Sequence, residues 1–223
     1  MATRLLPFRQ YDENDVVNLY SFDGTPLDMS TTGPQTSSTA DAGVLVKVTA
    51  GDLTKDAVEL HNNATVLGWQ GAPHLGKNQY PIVPWQVQAA GSGEAVLGIT
   101  LKQTVSHDEN GEKLLYYPQK KDELQAVLSG EAVPIATRGL FMIDDRAFSE
   151  GDATHPAVIA VGTKLSCHAN GKFGPWTSGT TTQTDNPVDD VAVGTIMGNG
   201  TRSGEADGTT SNYYLVNLNP SAA

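Results

Sequence analysis

The side chains of this chain that could do chemistry are one cysteine, five histidines and a few paired acids. Cys167 precedes His168, and a thiolate beside an imidazole would be a nucleophile. Adjacent residues on a strand point to opposite faces, so these two cannot pair, and Cys167 reads as a small core residue. His61, His74, His107, His155 and His168 show no metal spacing: there is neither H-x-x-x-H nor a cysteine pair. Asp144-Asp145 follows a long apolar run and could contribute to a cation site or an acid pair, but a polar turn closing a strand is the favoured reading. Asp108 to Gly111, DENG, has the opening of a calcium loop without its remaining ligands, so a hairpin turn is the simpler reading. Neither a G-x-S-x-G elbow nor a phosphate loop occurs. Asn63-Ala64-Thr65 and Asn199-Gly200-Thr201 match glycosylation acceptors, which matter only in a secreted chain. Trp69, Trp85 and Trp176 with the tyrosines could form a sugar-stacking platform, but aromatic residues are 7% of the chain and sit in strand patterns, which favours core packing. A hydrolase site assembled from distant residues such as Asp144, His155 and Asp189 stays open, because sites need not be local. The reading is of a non-enzyme, with no catalytic residue, no metal and no cofactor expected.

These residues hang on strands. The clearest runs from Gly130 to Ile143, GEAVPIATRGLFMI. Val133, Ile135, Thr137, Phe141 and Ile143 alternate onto one face, a period that argues a strand with one side buried. Gly139 interrupts it where a bulge or the sharp bend of a small-barrel corner would sit. Ala95 to Val105 is a second strong strand, with Leu97, Ile99, Leu101 and Val105 inward and Gly98, Thr100, Lys102 and Thr104 outward. Further strands are expected at Gly43 to Thr49, Ile82 to Ala90, Leu114 to Pro118, Ala157 to Cys167, Val191 to Gly198 and Tyr213 to Leu218. Pro84 marks the Ile82 to Ala90 strand as an edge or a bulge; an edge would need cover from another copy. Lys120 to Gly130 is the best helix candidate. Val161-Gly162-Thr163-Lys164-Leu165 echoes Val193-Gly194-Thr195-Ile196-Met197 and, more loosely, Leu97-Gly98-Ile99-Thr100-Leu101; the shared glycine would let strands approach closely.

Length and composition set the frame. A chain of 223 residues holds one large β domain or two small ones, and 23 glycines with 12 prolines favour short strands and turns. The formal charge of −11, with only 14 Lys and Arg, argues against a nucleic-acid partner. A single cysteine allows no internal disulfide and fits assembly in a reducing cytoplasm. No apolar run is long enough for a membrane span or a secretory signal, so neither is expected.

The N-terminal residues are too apolar for a free tail. Leu5, Leu6, Phe8, Tyr11, Val16, Val17, Leu19, Tyr20 and Phe22 need a surface. A first strand of the same domain would supply one. The polar Ser/Thr/Gly/Pro stretch of residues 23–42 favours an arm that reaches another molecule instead. The expected organisation is therefore an arm and linker over residues 1–42 and a β-rich body over residues 43–223. The fold class is all-β, a small barrel or sandwich with an extended N-terminal arm and at most one or two short helices. On this organisation, deleting residues 1–42 leaves the body's melting intact.

Several stretches together resemble a group of tailed-phage virion proteins: PFRQYDENDVVNLYSFDG, VLGITLKQTVSHDENGEKLLYYPQKKDELQAVLSGEAVPIATRGLFMI, AVIAVGTKLSCHANGKFGPWTSG, VAVGTIMG and YYLVNLNP. They look like the capsid decoration, or cement, proteins of marine and cyanobacterial phages. The resemblance carries no catalytic motif. It implies a β-rich body on the outer face of the virion, bound to the major capsid protein and made in the host bacterial cytoplasm. It also implies a homo-oligomer, a trimer, with an N-terminal arm reaching onto the capsid or a neighbour. On that implication the capsid-contact set is Leu5, Leu6, Phe8, Tyr11, Val16, Val17, Leu19 and Tyr20. A virion-borne carbohydrate-binding or host-attachment β module is the alternative.

Overall fold

Gly139 divides the longest apolar run into two strands that lie in different sheets. The computed structural model describes residues 4–20, 41–50, 86–105, 107–108, 110–128, 131–149, 158–176, 191–203 and 210–220. In it β8 (Ala132–Ala136) ends before the corner and β9 (Gly139–Asp144) begins at it. Gly139 has φ +139°, and a Cβ there would stand 2.6 Å from the Gln10 carbonyl oxygen and 2.9 Å from the Tyr11 Cβ. Only glycine tolerates both the backbone angle and the approach.

The chain passing so close is the N-terminal segment. β1 (Leu5–Gln10) pairs antiparallel with β9, with Leu5 opposite Ile143 and Gln10 opposite Leu140. β2 (Val16–Tyr20) pairs antiparallel with β8, from Val16 opposite Ala136 to Tyr20 opposite Ala132. Between them Asp12 caps a single 3-10 turn by accepting from the Asn14 N–H at 2.8 Å, the usual service of an Asx side chain at a helix start. The Thr137 N–H and hydroxyl both donate to the Asp15 carbonyl, at 2.8 and 2.9 Å, and lock the two bends together.

The arm expectation is therefore corrected for the described residues. Leu5, Leu6 and Leu19 are buried in this chain's own core, and Val16 and Val17 pack partly buried against it. The apolar residues did need a surface, and β8 and β9 provide it. Composition alone says that such a segment must be covered, not by which chain. Residues 21–40, most of the expected linker, lie outside the described residues.

The fold is all-β, with one short α-helix among the described residues. Six strands form one antiparallel sheet in the order β1-β9-β13-β12-β10-β11. Its remaining members are β10 (Lys164–His168), β11 (Lys172–Pro175), β12 (Gly194–Ser203) and β13 (Thr210–Leu218). A second group pairs in cyclic order β2-β4-β3-β5-β8, where β3 is Leu45–Ala50, β4 is Gln86–Ala89 and β5 is Gly98–Thr100. The β2–β4 join in this ring is one parallel residue pair, Tyr20 opposite Gln86. β4 thus lies between β2 and β3, so the described part of the Ile82 to Ala90 stretch is not the open edge expected of it. Leu19, Val44, Val46, Val87, Val133 and Ile135 form one apolar cluster of the ring strands. The opposite faces of the same strands give Leu45, Ile99 and Ala136 to a larger cluster with Phe141, Phe173, Tyr214 and Val216 of the sheet.

Other differences have local causes. Thr100 is buried, not outward, because its hydroxyl accepts from the Gly43 and Val44 N–H groups at 3.2 and 3.1 Å. Leu114 to Tyr116 is a 3-10 turn in place of a strand, and α1 follows at Pro118–Glu123, shorter and earlier than the expected helix. Pro118 starts it because proline is pre-set for the first helical turn. Gln125, with φ 49°, ends it, and β7 (Ala126–Val127) then runs parallel to β6 (Gln103–Thr104). The expected strand from Ala157 begins only at Lys164. Of the three echoed glycines, Gly98 and Gly194 are close approaches, with a Cβ falling 2.2 Å from Ala136 O and 2.5 Å from Asn217 O, whereas Gly162 sits in an open turn.

Gly139→Ala is expected to cost more than about 2 kcal/mol in urea melts. Gly198→Ala, whose Cβ would meet only Leu215 at 3.8 Å, is the control and should cost far less. Deleting residues 1–20 should abolish cooperative melting, since it uncovers both β8 and β9; an intact transition would restore the arm.

Candidate functional site

Cys167 and His168 occupy opposite faces of β10. Cys167 is buried in the larger core, with its Sγ 3.5 Å from the His168 carbonyl. The imidazole lies across the neighbouring strand over Gly174, where a Cβ would fall 2.1 Å from Nε2. The two therefore form no nucleophilic pair. His61, His74 and His155 lie outside the described residues, as do Trp69, Trp85, Asp189 and Asn63. Among the described residues no group of three or more His, Cys, Asp or Glu is placed to hold a metal ion. Trp176 is covered by the Lys164 ammonium, 5.3 Å from its ring centroid, an arrangement of cation–π contact. Asn199 donates from its amide to the Ile159 carbonyl at 3.1 Å.

The acids singled out by sequence hold backbone. Asp108 is buried and its Oδ1 accepts from the Asn110 and Glu112 N–H groups at 2.9 and 2.7 Å, while Oδ2 takes the Lys120 ammonium. The Lys120 contact, with these N–H donors, holds the Asp108 carboxyl below the ordinary carboxylate range. The Gly111 N–H also donates to the Asp108 carbonyl at 3.1 Å, so the described residues here turn about their own aspartate. Asp145 accepts from the Asn212 N–H at 3.0 Å and joins the end of β9 to β13.

Asp144 anchors a charged cluster that the sequence only half announced. It is buried, accepts from the Arg146 N–H at 3.1 Å, and lies 3.7 Å from Arg146 Nε and 3.6 Å from Arg202 Nη2. Both arginine side chains are more than a third exposed, so these long contacts are weak. Burial, reinforced by the adjacent Asp145, pushes the Asp144 carboxyl up to about 6. Asp41 is also raised to about 6, by burial, although its Oδ2 accepts from the Arg4 N–H at 2.9 Å. The Arg4 carbonyl in turn accepts from the Asp144 N–H at 2.8 Å.

Arg4 itself is buried, and neither Nη1 nor Nη2 has a hydrogen-bond partner. Burial lowers its pKa to about 10, against the raising effect of Asp41. Arg4 and Asp41 are the residues that sequence reading missed. The one signal is an arginine immediately before the apolar run that Leu5 and Leu6 begin.

The eight expected contact residues divide. Leu5, Leu6 and Leu19 are inside, Val16 and Val17 half-buried, and Phe8 and Tyr11 exposed, Tyr11 stacking on Phe141 at 5.9 Å. Tyr20 pairs through its backbone with Ala132 and Gln86. The largest exposed apolar side chains in sequence contact are instead Leu115, Tyr116 and Tyr117. No protein-family model, no curated protein and no solved structure matches the chain.

For Asp41 and Asp144 the folded pKa lies above the unfolded one, so the folded state holds more protons between the two values. Stability is greatest below the ordinary carboxylate range and falls as pH rises to about 6. Thermal melts should therefore show a gain on acidification from neutrality, on the order of 1–3 kcal/mol before other acids titrate. Asp41→Asn with Asp144→Asn should flatten that slope. Arg4→Met alone should raise the Asp41 titration further. Arg4→Met combined with Asp41→Asn should be at least as stable as the parent, because a buried pair with orphaned donors is replaced by neutral groups. A loss above about 2 kcal/mol in the double variant would show that Arg4 stabilises the fold after all.

Proposed function

We propose that this chain is a structural virion protein that binds the outer surface of a phage capsid shell and stabilises it. One observation carries the reading. Among the described residues, Asp108, Asp144 and Asp145 are engaged in holding backbone and the Cys167 thiol is buried in the core, while Phe8, Tyr11, Leu115, Tyr116, Tyr117 and Met197 stay exposed. Adjacent large apolar side chains held at the surface, as Leu115 to Tyr117 are, mark contact with another macromolecule. The segments that resemble decoration proteins point the same way and name the partner, the major capsid protein.

Self-association, as a trimer, belongs to this reading. The argument from the Ile82 to Ala90 edge no longer supports it, since β4 is paired on both sides. The outer strands of the six-stranded sheet, β1 and β11, are the edges that a second copy could meet, although Pro7 removes one donor from β1. Light scattering of the free protein distinguishes a trimer from a monomer.

A protein that binds the assembled shell and not its free subunits raises the shell's transition temperature by mass action. Thermal or osmotic release of DNA from particles with and without the protein measures this directly. The expected result is later release from decorated particles, saturating with occupancy. Equal release curves at full occupancy overturn the stabilising role, and glycan binding by the same protein would then favour the host-attachment module.

A further inference from the structure

β5 and β8 are antiparallel neighbours in the ring, with Ile99 opposite Ala136 and Thr100 opposite Ile135. Such a pair is normally joined by a hairpin loop of about two to five residues. Here the chain leaves at Leu101, whose N–H donates to the Pro134 carbonyl at 3.0 Å, and makes an excursion over residues 102–131 before re-entering the ring at β8. Nothing in the ring requires it. The excursion has its own small core of Val105, Leu114, Ala126 and Leu128, with Leu124 packed against it. The β6–β7 pair, the Asp108–Lys120 ion pair and the Lys121–Glu131 ion pair at its base hold it in shape.

Leu114 faces that small core and is fully buried. The next three residues do the opposite. Leu115 is 66% exposed, Tyr116 70% and Tyr117 47%, consecutive on one 3-10 turn and its cap. They contribute little to the excursion's own packing. Tyrosine loses little conformational freedom on binding and is enriched among residues that dominate interfaces.

The rim indicates what covers them. Lys120 and Lys121 are engaged by Asp108 and Glu131, whereas Glu112, Asp122 and Glu123 are exposed and form no ion pair among the described residues. Among the described residues next to them in sequence, 110–123, Lys113 is the one exposed cation, so this rim is net acidic. A second copy docking by two-fold symmetry would bring these acids against themselves, on a chain that already carries −11.

We propose that the excursion is the docking ledge of this protein, with Leu115, Tyr116 and Tyr117 inserted into an apolar depression rimmed by Lys and Arg on a different protein. This rests on the reading proposed above, in which that protein is the capsid shell. The ledge, rather than the N-terminal segment, then supplies the central contact.

The test uses the full-length chain and emptied shells of the major capsid protein. Leu115→Ser with Tyr116→Ser should melt as the parent does, since both side chains are exposed, yet bind shells roughly 30-fold more weakly or worse in co-sedimentation. Glu112→Lys with Glu123→Lys should reduce the salt dependence of binding and slow association. A photo-crosslinking residue in place of Tyr116 should join the capsid protein, and one in place of the exposed Val158 should not. Parent and Leu115→Ser/Tyr116→Ser proteins binding shells equally would overturn the ledge and leave the capsid reading standing. Crosslinks from position 116 to a second copy would overturn the choice of partner. A parent protein that does not bind shells at all would sink the capsid reading, and the ledge's partner with it.

Discussion

The Gln10 carbonyl passes so close to residue 139 that a Cβ there would lie 2.6 Å from it, and both sheets depend on that approach. One strand of the ring, β8, continues through the bend into one strand of the sheet, β9. The N-terminal segment follows antiparallel along both, bending at the same place as β1 gives way to β2. The two layers are thus crossed twice by paired chain, and Thr137 fastens the crossings through Asp15. A larger residue at position 139 would push β1 off β9. Leu5, which joins Phe141 and Ile143 in the larger core, would be displaced with it.

The same N-terminal segment introduces the main electrostatic cost. Arg4 immediately precedes β1, so fixing the strand also fixes a guanidinium in the interior, with Asp41 as its near counter-charge. Asp41 bonds the Arg4 backbone rather than its side chain, leaving Nη1 and Nη2 without acceptors. An orphaned buried donor is expensive, and a buried ion pair seldom exceeds the stability of the apolar groups that could replace it. The backbone links from Asp41 to Arg4 and from Arg4 to Asp144 do have a positional effect. They set the start of β1 against the end of β9, where register would otherwise rest on the apolar pattern alone.

Much of this architecture is readable from local pattern. Alternation places Tyr214, Val216 and Leu218 inward, and all three are buried. Gly139 is a break because a glycine in a strongly β-branched run has no packing reason to be there. The opposed faces of Cys167 and His168 follow from strand geometry alone. What escapes is whatever depends on partner choice at long range. Leu5, Leu6 and Leu19 have the same character whether their cover is β9 or another molecule. Thr100 reads as outward until its hydroxyl is seen to bond the Gly43 and Val44 amides, which lie far away in sequence. Leu114 to Tyr117 looks like a strand by content, yet it is an uninterrupted apolar block without alternation, followed by a proline that starts a helix.

That block separates two kinds of apolar side chain that composition treats as one. Leu114 and the N-terminal leucines are covered within the chain, so their removal would act on folding. Leu115, Tyr116 and Tyr117 are held outward by an element that has a core of its own, so changing them acts on association. On the proposed reading, this division suits a protein that works by repetition. Each contact need be only moderate, because many copies bind a regular shell and any self-association couples their binding further. A rigid ledge also lowers the ordering cost at each site, a cost that a long polar linker and arm would have incurred afresh with every copy bound.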